Sequence, residues 1–151
     1  VDEMFDSLQR YLIRDSHEKG RKIILEGRLA GVIATEQMGE LGDSSPAITR
    51  ILFTADSDAR NKRVSNRYRD LTSENVARLT REREIKDLQT WKKFHPLISG
   101  MQDIYDASFT DRSGAYPFAD VIIDTTELTT KEVKQQILET LENRGDILLV
   151  K

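Results

Sequence analysis

Apolar residues open the chain at helical spacing. Met4, Phe5, Leu8, Leu12 and Ile13 recur every three to four positions, which predicts an amphipathic helix ending before the polar run Ser16–Gly20. The period then changes. Lys22-Ile23-Ile24-Leu25-Glu26 is a short β-branched run stopped by Gly27, the pattern of a strand buried on both faces of a parallel sheet. Residues 37–48, with two glycines, two serines and Pro46, predict a loop. Arg50–Ala55 repeats the buried-strand pattern, and Asp56 is placed to cap a helix from about Ser57 to Tyr68. A longer helix is predicted from Thr72 or Ser73 to about Lys93, with Val76, Leu79, Ile85, Leu88 and Trp91 as its apolar stripe.

Pro96, Gly100, Gly114 and Pro117 mark residues 95–118 as mostly loop. A third strand is predicted at Asp120–Asp124. Thr129 and Glu132 then have capping-box spacing ahead of Val133, Ile137, Leu138 and Leu141, and Gly145 closes that helix. Ile147–Val150 is a candidate last strand. Strands alternating with helices predict an α/β fold, a parallel sheet with helices on both faces in three layers. At 151 residues the chain is long enough for one domain with its own core.

Composition narrows the chemistry. The absence of cysteine excludes disulfides, thiolate metal sites and a cysteine nucleophile. No apolar run has the length of a membrane span and no secretory leader opens the chain, so a cytoplasmic location is expected. His17 and His95 lack partners at metal-ligand spacing. Charge is unevenly placed. Between Arg60 and Lys93 eleven basic residues stand against five acids, in a chain whose net charge is −3. An acidic body with one basic helical stretch predicts a site for an anion.

Ligands of open parallel sheets collect at the carboxyl ends of the strands. The segments there are Glu26–Gly31, Thr54–Asp56 and Asp124–Thr126. Arg28 stands out among them. A guanidinium between Gly27 and Gly31 can approach an anion closely and grip it with two hydrogen bonds, although an ordinary loop arginine in a salt bridge fits the same position. Trp91 reads as core or lid packing, and Tyr105, Tyr116 and Phe118 as loop anchors or base contacts.

Four stretches carry a family resemblance, in order along the chain. They are Ile24-Leu25-Glu26-Gly27-Arg28-Leu29-Ala30-Gly31; Ile51–Ala55 followed by Asp58-Ala59-Arg60 and Arg63; Arg83-Glu84, Asp87 and Trp91-Lys92-Lys93; and Asp120–Thr126 with Leu128 and Glu132-Val133. Together they span roughly residues 20–36 and 50–142, and the set resembles the cytidylate kinases among the P-loop nucleoside monophosphate kinases. The resemblance implies transfer of the ATP γ-phosphoryl group, with Mg²⁺, to CMP or dCMP. It implies that Gly27 and Arg28 hold the acceptor phosphate, that Arg83 is a lid arginine, and that Asp87 stands at the family's acidic position. Arg78 and Arg81 add charge to a lid expected over residues 71–93, where closure would exclude water around the phosphates. Arg81 and Arg83 are the expected catalytic cations; Arg28, Gly27, Arg78 and Asp87 are the expected substrate-binding residues.

The chain departs from that family at several points. Leu29 replaces the acid of the bacterial branch, Thr90 stands where a further lid arginine is expected, and the loop from Phe94 to Phe118, with Asp103, Tyr105 and Asp106, is long. No G-x-x-x-x-G-K-[ST] loop is present, so nothing here cradles the donor phosphates. In the family that loop follows a strand lying between those at 23–26 and 51–55. A strand-loop-helix unit of at least about 30 residues is therefore expected ahead of Val1, and the 151 residues alone are expected to be inactive. A kinase-like frame retained as an RNA or polyanion interaction module is the competing reading. Against it stand the interleaved acids and an isoelectric point near 5.5.

Overall fold

The computed structural model describes residues 2–42, 47–68, 71–103 and 116–145. The fold is mixed α/β and helix-rich. In chain order it comprises α1 (Asp2–Glu18), α2 (Ala30–Leu41), β1 (Ile51–Thr54), α3 (Ser57–Arg67), α4 (Ser73–Phe94), a 3₁₀ turn (Pro96–Ile98), β2 (Val121–Asp124) and α5 (Thr130–Asn143). β1 and β2 form a two-stranded parallel sheet. Its register is set by Asp120 and Val121 N–H donating to the Arg50 carbonyl, and by Thr125 N–H donating to the Thr54 carbonyl at 2.8 Å. The contacts divide the chain into two compact units, one of residues 1–52 and 110–121, the other of residues 53–109 and 122–151.

In the first unit α1 packs on α2. α1 ends in a Schellman turn: Gly20 adopts φ 61°, its N–H donates to His17, and Arg21 N–H donates to Ser16. The join between the helices is largely polar. Arg10 pairs with Glu36, Arg14 Nε donates to the fully buried Gln37 at 2.7 Å, and Arg14 also reaches Glu40. Of the apolar residues that predict α1, Ile13 is buried, while Met4, Phe5 and Leu8 are about half exposed or more.

Two expectations fail in this unit. Residues 21–26 form no strand; Ile24 is 93% exposed and Ile23 is exposed as well. A β-branched run states a preference, but a strand also needs a neighbouring strand, and among the described residues the sheet consists of β1 and β2 alone. The expected loop from residue 37 is helix as far as Leu41, because Ile33, Ala34 and Gln37 bury one face of α2. Residues 43–46 of that loop lie outside the described residues, as do Tyr105, Asp106, Gly114 and the candidate strand Ile147–Val150.

The second unit follows its local signals. Asp56 accepts from Ala59 N–H to start α3, Thr72 accepts from Asn75 N–H to start α4, and Thr129 with Glu132 forms a reciprocal capping box on α5. α4 buries Val76, Leu88 and Trp91, but Leu79 and Ile85 from the expected stripe are exposed. Glu84 takes a buried place instead and meets Arg60 of α3 at 3.4 Å. His95, Ile98 and Met101, in the turn after α4, are buried too. No helix among the described residues is long and apolar enough to cross a membrane.

Candidate functional site

The sheet ends are tied together by their own side chains. At the carboxyl end, the Thr125 hydroxyl donates to the Thr54 carbonyl at 2.8 Å, and Asp56 N–H donates to the Thr126 hydroxyl at 3.0 Å. Arg63 of α3 donates to the Thr125 hydroxyl and carbonyl. Asp124 accepts from the Thr126 hydroxyl at 2.7 Å and from its N–H at 2.9 Å. Those two bonds, helped by the nearby charge of Arg63, hold the Asp124 carboxyl below its ordinary range. An open parallel sheet collects ligands at such segments, but here their polar groups join two strands and a helix.

Gly27 and Arg28 lie in the turn that leads into α2. The Gly27 carbonyl accepts from Ala30 N–H, and both residues are exposed. Leu29 is 8% exposed and anchors the head of α2. Gly31 has a structural cause. It sits where α2 passes the Phe118 carbonyl, and a Cβ there would lie inside van der Waals contact of that oxygen. The second glycine beside Arg28 thus serves helix packing, while Gly27 lies beside the Gln9 side chain of α1. Tyr116 and Phe118 meet edge to face at 5.8 Å, and Phe118 is buried.

The expected lid residues all lie on α4, in the other unit. Each arginine meets an acid: Arg78 with Glu82 at 2.8 Å, Arg81 with Asp103 at 3.1 Å, and Arg83 with Asp87 at 3.5 Å. All three guanidinium side chains are more than half exposed, so these are surface pairs of small worth that an anion could displace. Arg81 and Arg83 do not share a face. Two residues apart on a continuous helix, they flank the buried stripe on opposite sides. Arg78 and Arg81, three apart, are neighbours on one side, whereas Arg83 and Asp87 belong to the other.

A cleft of about 390 Å³ that the sequence pattern does not predict runs along α3, lined by Asp58, Asn61, Lys62, Ser65, Asn66 and Ser73. None of the expected site residues lines it. Its only sequence signal is the near absence of apolar residues from α3, which buries none of its side chains fully. Among the described residues no group of three or more histidines and acids is placed to hold a metal ion. No protein-family model, no curated protein and no solved structure matches the chain.

Proposed function

We propose that these residues form the acceptor side and lid of a cytidylate kinase-like phosphotransferase, within a three-layer P-loop kinase fold and a cytoplasmic protein. The observation that carries the reading is Arg28. It is exposed on a turn, directly after an apolar β-branched run and directly before a helix with a buried face. A planar guanidinium so presented can take two oxygens of a nucleoside monophosphate such as CMP or dCMP. The exposed arginines of α4 support a second, closing role for that helix, since phosphoryl transfer depends on positioning and on cations that offset spread negative charge.

ATP and Mg²⁺ do not fit the residues present. The chain has no phosphate loop, and its described acids do not converge on a metal position. The proposal therefore assigns the donor side to residues other than these 151, and no transfer step is derived from them. The run at 22–26, which forms no strand, supports that assignment, because its apolar side chains have the composition of a strand with neighbours on both sides.

Titration calorimetry with CMP tests the reading: one saturable site per chain is expected. Absence of binding to CMP and dCMP alike would refute it. Binding to RNA whose affinity falls linearly with log salt would favour the polyanion module instead.

A further inference from the structure

α1 carries one polar side chain whose bonding is incomplete. Arg10 pairs with Glu36, but the Oε1 of its neighbour Gln9 is buried without a hydrogen-bond partner. Gln9 Nε2 likewise makes no hydrogen bond among the described residues. A glutamine amide offers two N–H donors and a carbonyl acceptor, and withdrawing it from water unbonded is unfavourable. In native proteins such an orphan calls for a specific cause, a bound ion or a role in the chemistry among them.

Its position suggests the cause. The chain reverses at Gly20 and brings Gly27 back against α1, where Gln9 Nε2 lies 3.0 Å from the place a Gly27 Cβ would occupy. The amide therefore overlies the turn one residue before Arg28. Gly27 does not have a positive φ, so its backbone would accept alanine, but the added methyl would have to push the amide aside.

A phosphate monoester suits this pair. A guanidinium fork takes two of its oxygens, and a tetrahedral group then holds a third oxygen out of the plane of the fork. A neutral N–H beside the turn can satisfy that oxygen. A carboxylate is planar and has no third oxygen to offer.

We propose that Gln9 is a second binding residue of the Arg28 site, donating from Nε2 to a third phosphate oxygen and so favouring a phosphate monoester over a carboxylate. The inference rests on the reading of Arg28 as the phosphate grip.

Calorimetry with CMP, cytidine and cytidine 5′-carboxylate on the full chain tests it. Gln9→Met keeps the length and helix preference of the side chain but has no N–H. It should weaken CMP about five- to tenfold and leave cytidine and the carboxylate unchanged. Gln9→Glu should weaken CMP further by setting a carboxylate against the phosphate, and Gly27→Ala should weaken it by displacing the amide. CMP affinity unchanged by Gln9→Met, while Arg28→Ala still lowers it, would overturn this inference and leave the Arg28 reading standing. Equal losses for CMP and cytidine in Gln9→Met would overturn it too, since a merely structural role moves both together. A wild-type chain that binds no CMP, or binds it indifferently to both substitutions, would overturn both readings.

Discussion

Arg50 and Asp120 meet fork to fork at the entry to the two strands. Arg50 Nη2 and Nε donate to the two carboxylate oxygens at 2.9 and 3.1 Å, and Arg50 N–H adds a third bond at 2.7 Å. The remaining guanidinium nitrogen donates to the Thr35 hydroxyl at 2.6 Å and to the Pro117 carbonyl at 3.0 Å. One side chain thus ties β1, the segment before β2 and α2 together. With side-chain exposures of 15% and 22%, the pair is substantially shielded from water. Arg50→Ala should cost about 2–3 kcal/mol, because it strands a shielded carboxylate as well as removing four bonds. Urea unfolding measures it, and a double-mutant cycle with Asp120→Ala should show strong non-additivity.

Two glycines of α2 should respond to the same substitution with opposite signs. Gly39 has open space around it, so Gly39→Ala should stabilise by about 0.5–1 kcal/mol through helix propensity. At Gly31 the added methyl meets the Phe118 carbonyl, and Gly31→Ala should destabilise by about 1–3 kcal/mol despite the same propensity gain. Thermal unfolding of both variants checks the pair.

The capping box of α5 predicts a pH dependence. The Thr129 hydroxyl, then its backbone N–H, lower the Glu132 carboxyl from its ordinary value of 4.5. A carboxyl depressed in the folded state contributes stability that is present above its unfolded value and lost as the pH falls through the folded one. The stability difference between wild type and Thr129→Ala should therefore be largest near neutrality and shrink below about pH 4.5. A difference that grows on acidification would contradict the assignment.

The helix starts were legible because their causes are local. Asp56, Thr72 and Thr129 each satisfy an N–H three residues on, and a single sequence displays that spacing. That residues 22–26 form no strand was not, because pairing depends on a neighbour that their own side chains cannot specify. For α1 periodicity identified the helix and not its mounting: side-chain bonds from Arg10 and Arg14 to Glu36, Gln37 and Glu40 decide which face turns inward. In the sequence Gly31 reads as room for an anion beside Arg28; the Phe118 carbonyl that lies against it, a residue distant in the chain, shows the close approach to be of backbone. The basic excess of α4 was legible as charge; that each arginine meets an acid depends partly on Asp103, a residue distant in sequence from Arg81.

If α4 closes over bound nucleotide, its exposed ion pairs must exchange partners. Hydrogen exchange along residues 73–94 should slow when CMP is added, most at the exposed turns carrying Arg78 to Arg83. Exchange unchanged by CMP at saturating concentration would make α4 a static structural helix.

The central claim is that Arg28 grips a phosphate, and a thermodynamic cycle isolates that contact. Calorimetry compares CMP with cytidine, which lacks the phosphate, on wild type and on Arg28→Ala. The wild-type chain should prefer CMP, and Arg28→Ala should remove about 1.5–3 kcal/mol of that preference, roughly ten- to a hundred-fold in affinity. Cytidine affinity should stay the same in both proteins. A CMP preference that survives Arg28→Ala intact would place the phosphate elsewhere and contradict the account.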